Sequence, residues 1–384
     1  MSQTESYGEF DNIRPYTDEE AVEALSKVAA HPIAGKLSKF MFPDEPPGFL
    51  SDTLLKVHSV DDFQFMVMSR FVHNIMDNSM AEFSSDGIEN AVGTGGNFLA
   101  ISNHRDITLD PAITQVVLHE NGLPPTRIAV GNNLLSDKYM EYIIRSNRMI
   151  RVIRGVNARA LYESSSLLSR YIRRCIVFEK GSVWLAQREG RAKDGFDITE
   201  QGILKMLDMS GGGSFSERFK ELNILPISIS YEFEPCDIKK AREKLISRDH
   251  KYVKGRYEDM ESIMLGIKQP KGNVHLSFGT PLTEGEIEAA STLSKNDRYQ
   301  ALRRSIDRRI ISGYRLWKTN YMGYDLMTGS TKYADRYSPA DLEGFIAYIE
   351  HQLDSVEPEL DRGELRERLL GIYGNPVISK EGVL

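Results

Sequence analysis

The sequence predicts an α/β protein: a mixed β-sheet flanked by helices, with an N-terminal helical region before it and a helical C-terminal tail after it. Three observations carry this reading. From residue 97, short runs rich in β-branched residues alternate with helical stretches, the pattern of a sheet with helices packed on it. Before residue 84 and after residue 295 the apolar spacing is helical. At 384 residues, 41% hydrophobic and 27% charged, the chain is long enough for two domains, or for one large domain with an appendage.

The elements follow in order. "DEEAVEALSKVA" has Thr17 as N-cap and places Ala21, Val22, Leu25 and Val28 at helical spacing. "FPDEPPGFL" is a Pro-rich break, and "DDFQFMVMSRFVHNIMDNSM" a second, strongly apolar helix. "SSDGIENAVGTGGN" (84–97) reads as a Gly/Ser-rich linker. The strands expected next are Phe98–Ile101, Arg127–Val130, Ile150–Ile153, Val183–Ala186, Ile224–Tyr231 and Val274–Phe278, with helices near 111–121, 134–146, 158–178 and 237–248. The resulting division is an N-terminal helical region (1–83), the linker (84–97), an α/β domain (98–295) and a helical C-terminal extension (296–384). No internal repeat or low-complexity segment interrupts it.

Composition excludes several classes. No apolar run approaches the roughly 18–20 residues of a membrane span. The first twenty residues are polar and acidic, unlike a secretory signal. Two cysteines, Cys175 and Cys236, make neither a disulfide framework nor a metal quartet, so a reducing, cytoplasmic location is expected. A net charge of −7 argues against general nucleic-acid binding. Residues 138–174 are the exception, with nine Lys and Arg against two Glu, net +7. Such a zone suits an anionic substrate or a membrane surface, and equally a solvated helix face.

The stretch that invites chemistry is "NFLAISNHRDITLDPAITQVVLHENG" (97–122). His104 stands where a strand gives way to a helix, and the carboxyl ends of strands are where open α/β sheets bind ligands. Imidazole is the side chain best matched to proton transfer near neutral pH, given a carboxylate to fix its tautomer. Asp106 and Asp110 are both near enough to serve. Asp110 followed by Pro111 also reads as an N-cap with Pro at the first helical position. The other histidines, His31, His58, His73, His119, His250, His275 and His351, are expected to be structural.

"SNHRDITLDP" resembles the first motif of the glycerol-phosphate and lysophosphatidate acyltransferase superfamily: a His, four residues, then an Asp. "NRMIRVIRG" (147–155) is similar to the second motif, with Arg154 at the phosphate-holding arginine. "VWLAQREGRAKDG" (183–195) is similar to the third, with Glu189, Gly190 and Arg191. "NILPISISYE" (223–232) is similar to the fourth, with Pro226, and "VHLSFGTPL" (274–282) to a late strand. The likeness covers about 97–282. Two departures stand out. Five residues separate His104 from Asp110, and Leu109 occupies the expected Asp position. Either a bulged turn brings Asp110 back, or Asp106 takes the role. The Thr usually found between Gly and Arg in the third motif is missing.

The resemblance implies an acyltransferase with His104 as general base, Asp110 (or Asp106) as its partner, and Arg154, Glu189, Gly190 and Arg191 around the acceptor. Arg151 joins them as a substrate-binding candidate, though its parity on a strand opposes that of Arg148 and Arg154. Backbone N–H groups near Gly190 are candidates for the oxyanion site. Acyl-CoA or acyl-carrier protein would be the donor, with no further cofactor and no metal. Glycerol-3-phosphate or 1-acylglycerol-3-phosphate would be the acceptor, or another lipid such as a lyso-aminolipid. The layout resembles the soluble plastid-type glycerol-3-phosphate acyltransferases, so membrane contact would be peripheral, on the inner face. Tyr314, Trp317, Tyr321 and Tyr324 form an aromatic cluster suited to the core or to such an interface. A non-catalytic phospholipid-binding protein on the same fold is the rival reading. A metal hydrolase is disfavoured because no second His lies near His104, and a serine hydrolase because there is no Gly-x-Ser-x-Gly elbow.

Overall fold

The computed structural model describes residues 8–135, 137–248, 252–255 and 257–383. Its centre is a seven-stranded mixed sheet: β1 (Met80–Asp86), β2 (Leu99–Ser102), β3 (Arg127–Gly131), β4 (Met149–Val152), β5 (Val183–Ala186), β6 (Ile224–Tyr231) and β7 (Gly272–Phe278), in the order β1-β7-β6-β2-β5-β3-β4. β2 lies parallel to both β5 and β6, and β3 parallel to β5 and β4. The one antiparallel pairing is β6 with β7, and β1 runs parallel to β7. The carboxyl ends of β2, β3, β4, β5 and β6 therefore open on one edge, where loops rather than ladders satisfy the backbone.

Alternation along β2 builds two cores. Phe98 and Ala100 face one layer, which also holds Leu25, Phe71, Ile75, Leu225 and Phe278. Leu99 and Ile101 face the other, with Tyr171, Ile172, Leu302, Ile306 and Ile310. A third cluster joins the helix Asp237–Ile246 to the C-terminal helices through Ile238, Leu245, Phe345 and Tyr373. The N-terminal helices thus share one core with the sheet. Thr17 caps the helix Asp18–Ala29 in a reciprocal box with Glu20, as its sequence anticipates.

Residues 84–97 correct the linker expectation. Ser84, Ser85 and Asp86 pair with His275, Leu276 and Ser277 as part of β1, and Ile88–Gly93 is a short helix. Gly87 has φ 70°, and a Cβ there would lie 2.1 Å from the Phe278 carbonyl oxygen. This glycine permits close packing rather than slack. The helices Gln201–Leu207, Phe215–Lys220, Glu258–Lys268 and Glu284–Ser291 were also not anticipated. Of the aromatic cluster, Tyr314 is core, and Tyr321 and Tyr324 pack on the Tyr333 ring. His250 lies outside the described residues. Among the described residues no helix is long and apolar enough to cross a membrane.

Candidate active site

The chain leaves β2 at Ser102, and Asn103 clamps the turn to β6. Its side-chain amide donates to the Ile229 carbonyl at 3.0 Å, and its Oδ1 accepts from the Ile229 N–H at 2.8 Å. His104 follows, with Nδ1 2.9 Å from Asp110 Oδ2. That same oxygen accepts from the backbone N–H of Arg105 (2.6 Å) and of Asp106 (2.9 Å), while Oδ1 accepts from the Tyr231 hydroxyl at 2.9 Å. A carboxylate only accepts, so Nδ1 carries the proton of this bond, and in the neutral ring Nε2 holds the lone pair. The His104 side chain is 15% exposed. Trp184 meets its ring edge-on, with centroids 5.8 Å apart.

The five-residue spacing now has a physical reason. The helix starts at Leu109, and Asp106 rather than Asp110 takes the capping role: its Oδ1 accepts from the N–H groups of Thr108 and Leu109, both at 2.8 Å. Asp110 then sits inside the first turn, its carboxylate folded back over the loop. Asp106 is not the histidine's partner. Its Oδ2 is buried without a hydrogen bond, and a Cβ on Gly266 would lie 2.2 Å from it.

Behind the loop lies a buried ionic network. Arg105 bonds Asp197 at 2.6 Å and reaches Glu234 at 3.5 Å. Lys240 bonds Glu234 and the Arg105 carbonyl, both at 2.6 Å, and the Tyr314 hydroxyl donates to Asp197 at 2.5 Å. Burial opposes the Arg105 charge, but Asp197 and Glu234 outweigh it and hold the guanidinium protonated. Buried charges arranged in this way are costly to break singly. Lys271, before β7, is the opposite case: burial pushes its ammonium down to about 8, with Asp106 pulling the other way.

The facing side of the site comes from the loop after β5. Gly190 adopts φ 73°, and the N–H of Ala192 donates to the His104 carbonyl at 2.8 Å, which ties this loop to the histidine. Arg191 is 7% exposed, with Nη1 buried and without a hydrogen-bond partner. It lies beside Cys236, whose thiol burial pushes up and Arg191 pulls down. Arg154 extends from the end of β4, two strand spacings or about 10 Å from β5, and its Nε lies 3.9 Å from Glu189 Oε1. These two side chains are 35% and 70% exposed. A side chain on Gly131 would crowd Asn133 and the Arg154 guanidinium.

Arg151 is not part of this group. It pairs with Glu141, and its N–H donates to the Ile13 carbonyl at 2.9 Å. The other arginines of the cationic zone behave in this way. Arg145 pairs with Glu141, Arg148 with Asp61, Arg159 with Glu163, Arg170 with Glu9, Arg173 with Glu221 and Arg174 with Glu179. Glu141 and Glu163 belong to the zone itself, Glu179 lies just after it, and Asp61, Glu9 and Glu221 come from distant sequence; the loosest of these arginine pairs is that of Arg154. Sequence reasoning did not single out Tyr231, Trp184 or Asn103. Tyr231 stood in the quoted strand "ILPISISY", but nothing local signals that its hydroxyl meets Asp110.

Residues 83–219 match the family model described as Acyltransferase. That stretch of the chain, about a third of its length, is similar to the acyltransferase family. The matched interval begins in β1 and contains His104, Asp110, Arg154, Glu189, Gly190 and Arg191. The chain is also similar to the solved structure of the 1-acyl-sn-glycerophosphate (LPA) acyltransferase PlsC from Thermotoga maritima, at 13% sequence identity and a TM-score of 0.39, over 76% of this chain and 92% of that one. No curated protein matches it.

Proposed function

We propose that this acyltransferase moves a fatty acyl group from an acyl-thioester, acyl-CoA or acyl-carrier protein, to a hydroxyl of glycerol-3-phosphate or 1-acylglycerol-3-phosphate. The observation that carries the proposal is the His104–Asp110 pair at 2.9 Å, placed at the carboxyl edge of the sheet beside the unpartnered Nη1 of Arg191. His104 Nε2 takes the acceptor's hydroxyl proton as the oxygen attacks the thioester carbonyl carbon. The tetrahedral oxyanion collapses, the C–S bond breaks, and the departing thiolate receives that proton. General-base catalysis of this kind contributes about 10²–10⁴-fold, and positioning and oxyanion stabilisation supply the rest. Backbone N–H groups around Gly190 are the proposed oxyanion donors.

Arg191 and Arg154 take the acceptor phosphate, where planar guanidinium forks give bidentate contacts that Lys does not reproduce. Glu189 accepts from a glycerol hydroxyl. Val156, Leu161 and Tyr162 are exposed just beyond Arg154, with the well-exposed Arg159 among them, which favours peripheral contact with an anionic membrane on its inner face.

The test is purified protein with labelled acyl-CoA and acyl-carrier protein against glycerol-3-phosphate, 1-acylglycerol-3-phosphate and a lyso-aminolipid. Thiol release is expected only with an acceptor, undisturbed by chelators, and His104→Ala is expected to lose about 10³-fold or more. Phospholipid binding without turnover, unchanged in His104→Ala, would establish a binding protein instead.

A further inference from the structure

We propose that Tyr231 is a positioning residue of this site: its hydroxyl locks the Asp110 carboxylate in the rotation that serves His104 and draws negative charge from it. The inference rests on the reading of His104 as base. An aspartate carboxyl turns about a soft terminal torsion with broad wells, so something must hold it. Three donors converge on Oδ2: His104 Nδ1 and the N–H groups of Arg105 and Asp106. Oδ1 receives the Tyr231 hydroxyl. Tyr231 is itself rigid, because it closes β6 and pairs with Val274 of β7, and it is buried.

The phenol is suited to donate and to keep its proton. Burial and the Asp110 charge hold it well above its ordinary range, so no proton leaves it during turnover. A hydrogen bond to one carboxylate oxygen spreads the charge that the other presents to the imidazolium. Removing it concentrates that charge, which favours protonated His104.

The comparison is clean because the other charged groups around the pair stay in place. These are Arg105 and Asp106 on the loop, Arg191 after β5, Glu234 after β6 and Lys271 before β7. Tyr231→Phe keeps the ring and removes the donor. Its kcat is expected to fall about tenfold, the scale of one charge-assisted hydrogen bond, with KM for donor and acceptor within about twofold. The acid limb of its kcat/KM profile is expected to move up by about half a pH unit. Replacing Tyr231 by 3-fluorotyrosine makes a stronger donor of nearly the same size, and the limb should move down.

Circular dichroism and thermal unfolding check the fold. If Tyr231→Phe does not fold, the near-isosteric fluorotyrosine protein carries the test alone. A limb that stays in place in every folded variant, or a loss confined to stability or to KM, would overturn the inference. If His104→Ala retains turnover, it is the base assignment that fails. If His104→Ala is inactive while both Tyr231 variants keep the wild-type kcat and profile, only the Tyr231 role falls.

Discussion

The two sides of the site are built differently. On the base side, Asp110 accepts four hydrogen bonds, Asn103 is bolted to β6, and Arg105 is buried in an ionic network that reaches the C-terminal helices through Tyr314. On the proposed acceptor side, Arg154 and Glu189 meet at 3.9 Å on long, exposed side chains, and Arg191 has a guanidinium nitrogen with no partner. Proton transfer needs its geometry before substrate arrives, because efficiency falls steeply with small errors of position. Phosphate binding tolerates waiting cations, because the ligand supplies the missing acceptor oxygens. The difference separates residues that should govern kcat from residues that should govern KM.

The largest effect that would break this division belongs to Asp110→Asn. The amide cannot accept from all four donors and no longer stabilises an imidazolium. In the His–Asp pair of serine proteases the same change costs about 10⁴-fold in kcat, and a loss of about 10³–10⁴-fold is expected here in steady-state assays. Asp106→Asn serves as the contrast. Its Oδ1 can still cap Thr108 and Leu109, so kcat should stay within about threefold. Equal losses in the two variants would mean that the base side acts through loop order alone, not through one carboxylate.

That contrast also marks what the sequence could reveal. His104 stood out by its place at a strand end, whereas Arg154, Glu189 and Arg191 were singled out only through the resemblance of their motifs; runs such as Val183–Ala186 and Ile224–Tyr231 announce themselves by composition. The choice between Asp106 and Asp110 was not legible, because it depends on the helix starting at Leu109, two residues earlier than the Asp-Pro pair suggests. β1 was hidden for a related reason. "MAEFSSD" at the sheet edge is half-exposed and polar, and Gly87 reads as flexibility unless the Phe278 carbonyl beside it is known. The basic zone reads as more free charge than it carries, since three of its arginines pair with Asp61, Glu9 and Glu221, which lie far away in sequence. Tertiary pairing is the part that local pattern does not encode.

The acceptor arginines give the next largest effects. Arg191→Ala removes the more buried cation and is expected to raise acceptor KM about 100-fold, while Arg154→Ala, on the exposed side, raises it about tenfold. In both, kcat should change by less than about threefold if ground-state and transition-state binding of the phosphate are equal. Arg191→Lys should recover little, since an ammonium cannot reproduce the fork. An acceptor lacking phosphate should erase the difference between wild type and both variants, and if it does not, these residues do not bind phosphate.

The smallest effect tests whether the base side is insensitive to charge beneath it. Lys271 is buried under the catalytic loop, and its ammonium is pushed down to about 8 from an ordinary 10.5. The folded state therefore gives up this proton before the unfolded chain does. Between about pH 8 and 10.5 the unfolded chain binds more protons, so this group makes stability rise with pH, and its full penalty applies below about pH 8. A shift of that size corresponds to at most about 3 kcal/mol, a figure that already contains the opposing pull of Asp106. Lys271→Met should therefore flatten the rise measured by urea unfolding at pH 7.5, 9 and 10, relative to wild type. Its gain at pH 7.5 should stay below that ceiling, because Met does not replace the Nζ hydrogen bonds to the Gln269 and Ile267 carbonyls. Throughout, kcat should hold within about twofold, since Asp106 caps the helix and does not touch His104. A matching fall in kcat would show that the loop is softer than its hydrogen bonds imply.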